Sequence, residues 1–144
     1  MKKTFLTWTI LVVLLPALFS QTESDTTVYT VVSEMPRFPG CEELDTTLVA
    51  KAKCAEMSLL NFLYQNLQYP LEARQADIQG TVVLSFIVEK DRSLSDLDVI
   101  KDIGGGCADE ALRVVGAMND VAIQWTPGKR EGEIVRVRYT LPIR

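Results

Sequence analysis

The sequence contains no histidine. Histidine is the commonest general base, the usual partner of a serine or cysteine nucleophile, and the commonest protein ligand of zinc. Its absence disfavours hydrolytic and metal-dependent catalysis, and we expect no metal and no cofactor. The 144 residues also lack a basic excess, since their formal net charge is −4, so nucleic acid is not an expected partner. A binding role is therefore favoured over an enzymatic one.

Long apolar runs are absent except at the N-terminus. Lys2 and Lys3 precede an apolar stretch that ends at Phe19, and a polar segment begins at Ser20. The stretch is about 15 residues long, whereas a membrane-spanning helix needs roughly 20, and this layout is typical of a secretory signal peptide. We expect residues 1–20 to be removed after Ser20, with an uncleaved anchor as the alternative. Residues 21–34 then form a lead segment and residues 35–144 the domain.

Cysteine is scarce, with Cys41, Cys54 and Cys107 alone in the chain. Thiols of an exported protein can oxidise. Cys41 and Cys54 flank a polar insert, and closing this loop of about 14 residues would stabilise the fold by roughly 3 kcal/mol. We predict a disulfide between them. Cys107 is expected to be a buried structural cysteine, and a reactive thiol or an intermolecular partner stays open.

Periodicity of the apolar residues predicts an α+β domain. Helical spacing indicates a helix from near Cys54 to Leu67, a short helix opened by Pro70, and a helix after the glycines 104–106. Alternation predicts antiparallel strands over residues 81–89, 94–101 and 134–143, and the β-branched residues 28–32 could add a short one. We expect two layers, a small antiparallel three-stranded sheet with two main helices on one face.

The last predicted strand carries most of the local basic charge. Residues 127–144 contain five basic side chains against two acidic ones. A strand that ends a chain is often an edge strand, whose unpaired backbone groups can accept another strand. Arg136 and Arg138 alternate with inward residues and would face outward, where they either select a partner or only keep the edge soluble.

Six short motifs occur in the order and spacing of one known family: Tyr69-Pro70-Leu71-Glu72-Ala73-Arg74, Ile78-Gln79-Gly80-Thr81-Val82-Val83, Val88-Glu89-Lys90-Asp91, Asp109-Glu110-Ala111-Leu112, Trp125-Thr126-Pro127-Gly128-Lys129 and Val135-Arg136-Val137. Through them the chain resembles the C-terminal domain of TonB energy transducers over about residues 60–143. The upstream Met35-Pro36-Arg37-Phe38-Pro39-Gly40 is similar to the lead-in of versions from Bacteroidetes-type bacteria.

This resemblance implies a periplasmic, non-enzymatic module that binds the N-terminal segment of an outer-membrane transporter, called the TonB box. In the family the segment adds as a strand to the last strand of the domain. In this sequence, the resemblance places that binding edge at Ile134, Val135, Arg136, Val137, Arg138, Tyr139, Thr140 and Leu141. Arg136 and Arg138 would then influence which peptide is accepted.

Three departures from the family pattern bear on energy coupling. No clear membrane helix with a Pro-rich spacer precedes the domain, Arg92 replaces the usual hairpin glycine, and the insert from Cys41 to Cys54 is extra. Engagement of an inner-membrane energising complex therefore stays open, as does anchoring in the inner membrane facing the periplasm. Two other functions also stay open: a thiol-dependent or redox protein using Cys107, and an envelope assembly protein that forms a homodimer through its sheet edges.

Intact mass spectrometry of the protein recovered from cells tests the predicted cleavage after Ser20 and the predicted disulfide together. We expect the mass to lack residues 1–20 and to rise by two hydrogen atoms on reduction. A mass that retains residues 1–20 would indicate the anchor instead. A mass that does not change with reductant would exclude the bond between Cys41 and Cys54.

Overall fold

A computed structural model of the protein describes residues 26–144. The predicted signal peptide, residues 1–20, and the start of the lead segment lie outside the described residues. Three helices and five strands follow along the described chain, in the order β1 (Val28–Tyr29), α1 (Leu48–Asn66), α2 (Leu71–Gln75), β2 (Val82–Val88), β3 (Leu94–Lys101), α3 (Cys107–Asp120), β4 (Gly128–Arg130) and β5 (Glu133–Ile143). None of these three helices combines the length and apolar character that crossing a bilayer requires.

The strands form one curled, mixed sheet in the order β1-β5-β2-β3, and β4 pairs separately with β5. β2 is antiparallel to both β3 and β5, whereas β1 runs parallel to β5. The α+β class is therefore confirmed, but the predicted three-stranded antiparallel sheet is wrong in strand number and in the direction of β1. The extra strands span only two and three residues. Alternation over so few residues gives little periodic signal.

Helix α1 begins earlier than the sequence pattern predicts. Thr47 caps it, since its hydroxyl accepts a hydrogen bond from the backbone N–H of Ala50 at 3.3 Å. The buried residues Ala55, Leu59 and Leu63 recur every four positions and face the sheet. The first turns of α1 are exposed instead, so this part of the helix has no apolar stripe that periodicity could detect.

Trp125 lies at the centre of the core and is fully buried. Its ring packs edge-on against Phe38, Phe86 and Tyr139, with centroid separations of 5.6, 5.4 and 5.3 Å. Edge-to-face aromatic contacts of this kind add about 0.5–1.5 kcal/mol each beyond the area they bury. Because Tyr139 belongs to β5 and Phe38 to the segment before α1, the cluster fixes those two parts of the chain against each other.

Residues 104–106 form the tight turn that starts α3. All three glycines have positive φ, at 83°, 62° and 79°. Gly105 also packs against α2, since a β-carbon there would lie 2.8 Å from Cα of Ala73. The glycine run is thus required by backbone conformation and by the close approach of α2.

Alanine substitutions at Gly105 and Gly104 separate these two requirements. We expect Gly104→Ala to lose about 1–2 kcal/mol from the left-handed backbone alone, because no atom lies within 4 Å of the added carbon. Gly105→Ala should lose about 1–3 kcal/mol more through overpacking against Ala73. Urea unfolding measures both free energies, and equal losses would contradict the packing argument.

Candidate functional site

All eight predicted binding residues, 134–141, lie on β5. One edge of β5 pairs with β2 from Val137 to Ile143. β4 pairs with residues 133–135, ahead of β2 on the same edge. The other edge, which the sequence predicts to be open, is covered where β1 pairs with Arg136 and Val137. The expectation of an open edge is therefore wrong for these two residues.

A two-residue hairpin turn joins β4 to β5. Glu131 and Gly132 connect β4 to β5, and both have positive φ, at 52° and 83°. Positive φ at both central residues is the requirement of a type I′ turn, for which Gly is favoured at the second position. The pair Glu131-Gly132 between β-forming residues is the sequence signal for this strand, which the periodicity of apolar residues does not detect.

The second half of the outer edge, residues 138–143, has no strand partner among the described residues. Its backbone polarity follows from the register of β2. The N–H of Glu89 donates to the carbonyl of Ser93 at 2.9 Å, so the backbone groups of Glu89 face β3 and those of the preceding residue, Val88, face β5. Val88 is paired with Val137, and the register is continuous through residue 143, so the odd-numbered residues 137–143 bond to β2. The backbone groups that point outward, away from β2, are therefore those of Arg138, Thr140 and Pro142, of which Pro142 has only a C=O.

Arg136 and Arg138 are engaged by acidic residues of the neighbouring strands. Arg136 donates two hydrogen bonds to the carboxylate of Glu89, at 2.7 and 2.9 Å, and this contact lowers the pKa of Glu89. Arg138 pairs with Asp96 at 2.5 Å and also contacts Ser85. Much of the positive charge that the sequence assigns to this strand is therefore balanced within the sheet.

A groove of about 870 Å³ runs beside the open part of the edge. Three parts of the chain form it: residues 138–140 of β5, residues 30–38, and the first half of α1, residues 48–59. Its lining includes large apolar side chains that are unusually accessible, namely Met35 (41% exposed), Leu48 (43%) and Val49 (79%). The open backbone groups and an apolar groove are thus adjacent.

The wall opposite β5 is held in place at several points. The predicted disulfide is present, and it joins Cys41 to Cys54 in the middle of α1 with a Cα–Cα distance of 6.0 Å. Backbone hydrogen bonds of 2.9 and 3.0 Å tie Arg37 to Thr126 in both directions. The Arg37 guanidinium also donates to the carboxylate of Glu42 at 2.7 and 2.9 Å. The groove is consequently bounded by fixed segments on both sides.

Comparison with known proteins gives one family. The model of the family described as Gram-negative bacterial TonB protein C-terminal matches residues 65–144. The search of curated proteins and the search of solved structures each found no match. The matched region contains all of β5, whereas the groove wall formed by residues 30–59 precedes it.

Cys107 lies apart from this edge, at the first position of α3. Its side chain is partly buried and lines a second cavity of about 830 Å³, together with Tyr69, Pro70 and Ile143. Burial raises the pKa of the Cys107 thiol, and the nearby Asp102 carboxylate raises it further. A raised pKa leaves less thiolate at neutral pH, which is the opposite of what a catalytic or redox-active cysteine needs.

Alkylation kinetics test whether the Cys107 thiol is unreactive, as its burial and raised pKa indicate. We expect iodoacetamide to modify the folded protein at pH 7.5 more slowly than it modifies N-acetylcysteine, because both the raised pKa and the burial reduce attack. Mass spectrometry of timed samples gives the rate, and urea-unfolded protein serves as the accessible control. Reaction faster than that of N-acetylcysteine would contradict the assignment and favour a thiol-dependent function.

Proposed function

Because the chain belongs to the family of Gram-negative bacterial TonB protein C-terminal domains, we propose that it captures the TonB box of an outer-membrane transporter by strand addition to β5. Domains of this family are periplasmic and interact with outer-membrane transporters. The proposal adds the position of contact. The guest segment pairs with the second half of the outer edge, residues 138–143, and not with the whole of residues 134–141.

The open backbone groups of residues 138–142 carry this proposal. Thr140 presents its N–H and C=O on the side away from β2, and Arg138 and Pro142 present their carbonyls there, where no described strand pairs with them. An extended peptide can satisfy such groups in series, at a net gain of about 0.5–1.5 kcal/mol for each hydrogen bond. The open edge of six residues spans roughly 20 Å, the length of an average strand.

The position of β1 supports a guest on this edge. Val28 and Tyr29 already pair with Arg136 and Val137, immediately before the open residues. The chain then bends away from β5 at residues 30–31. A guest strand would continue along the same side of β5 from the point where β1 leaves it.

The proposal is limited to capture of the segment. Within residues 26–144, no feature identifies a contact surface for an inner-membrane energising complex. A second copy of the chain could use the same edge, which would make a homodimer, and sedimentation at several concentrations would detect it. Capture of a guest strand is favoured because the groove beside the edge has room for the side chains of an added strand.

Amide hydrogen exchange tests the proposed edge residue by residue. The probes are synthetic peptides copying the N-terminal segments of outer-membrane transporters of the host bacterium. Without peptide, we expect the amide of Thr140 to exchange quickly, whereas those of Tyr139 and Leu141, which face β2, are already protected. A bound peptide should slow exchange at Thr140. Binding that leaves exchange at Thr140 unchanged would contradict the proposal.

N-methylated peptides provide the matched control. Methylation at a guest amide that faces β5 removes a donor and should abolish binding, whereas methylation at the next amide, which faces away, should leave it nearly unchanged. The expected result is therefore an alternating pattern of sensitivity along the peptide. Equal tolerance at every position would indicate a contact made by side chains alone.

A further inference from the structure

We infer that the groove beside β5 is a specificity pocket that selects guest strands bearing a large apolar side chain opposite Tyr139. This inference rests on the proposed strand addition and deepens it. Backbone pairing alone accepts almost any extended sequence, because it reads no side chains. The groove would supply the missing selectivity.

The direction of the guest side chains follows from the sheet. Residues directly opposite each other on neighbouring strands project from the same face of the sheet. Tyr139 projects toward the helices, where it packs on Phe86 and Trp125. A guest residue opposite Tyr139 must therefore project toward the helix face as well, into the groove flanked by α1.

The chemistry of the lining identifies the side chain that fits. Met35, Leu48 and Val49 expose apolar surface to the groove, and Phe38 and Leu59 contribute buried apolar side chains to its lining. Accessible apolar side chains gathered in one place indicate a surface that is covered in a complex. Covering them with a leucine-sized or aromatic guest residue removes apolar area from water on both partners.

The groove is also organised before the guest arrives. The disulfide from Cys41 to Cys54 connects the two sides of its outer wall, and the hydrogen bonds between Arg37 and Thr126 fix the wall to the body of the domain. Binding to a fixed surface loses less conformational entropy than binding to a mobile one. Since this wall lies before residue 65, where the family match begins, the selectivity belongs to a part of the chain outside the matched domain.

Ala52 offers a way to fill the groove without disturbing the core. Its side chain lines the groove, it is exposed, and it lies within α1 (Leu48–Asn66). Ala52→Arg would place a long charged side chain in the groove. Met57→Arg is the matched control, because Met57 is 61% exposed on the same helix and does not line the groove.

The experiment measures how each protein responds to a glycine scan of the guest. The probe is the transporter-derived peptide that protects the amide of Thr140, with each of its apolar residues replaced by glycine in turn. For the unmodified chain and Met57→Arg, we expect one inward position at which glycine lowers the affinity at least about tenfold. For Ala52→Arg, the parent peptide should bind about as weakly as that glycine peptide.

The outcomes distinguish failure of the pocket from failure of the strand addition on which the pocket depends. Protection of the Thr140 amide without any preference for an apolar residue would overturn the pocket and leave the proposed function standing. Equal affinities for Ala52→Arg and Met57→Arg would also overturn the pocket. If no peptide protects the Thr140 amide, the proposed function fails and the pocket fails with it.

Discussion

Backbone hydrogen bonding along β5 is the constraint on which the sheet depends. Three of the other four strands, β1, β2 and β4, pair with β5, and β3 joins the sheet only through β2. Buried backbone N–H and C=O groups must find partners, and those at a sheet edge remain available to another chain. β2 and β4 pair with one edge of β5, whereas β1 pairs with the other edge only at Arg136 and Val137. The unsatisfied remainder defines where a guest backbone can bind.

The long elements of this fold can be read from the sequence because their patterns repeat. Strands β2 and β3, helix α3 and the inward alternation of Val135, Val137 and Leu141 all follow from periodicity, and these three residues are buried as expected. The disulfide between Cys41 and Cys54 follows from export and loop length. Strand β4, by contrast, spans three residues, too few for a periodic signal, and only its tight turn marks it.

The candidate site was only half predictable for a related reason. The sequence identifies β5 as the strand of interest, but it cannot show which of its edges another segment covers, since β1 lies more than a hundred residues away along the chain. The charge of the local sequence is an equally incomplete guide to the site. Arg136 and Arg138 indicate a basic edge until the structure places Glu89 and Asp96 beside them. The groove depends on residues 30–59 packing next to β5, a tertiary contact that no local pattern encodes.

The central claim is that a guest strand lies along residues 138–143 of β5. Isotope-filtered nuclear Overhauser spectra of the labelled protein with an unlabelled transporter-derived peptide test it most directly. The account requires cross-strand contacts from the guest backbone to Arg138, Thr140 and Pro142, with none to the outer edge of β3. Contacts from the guest to β3 (Leu94–Lys101), in place of those to β5, would contradict it.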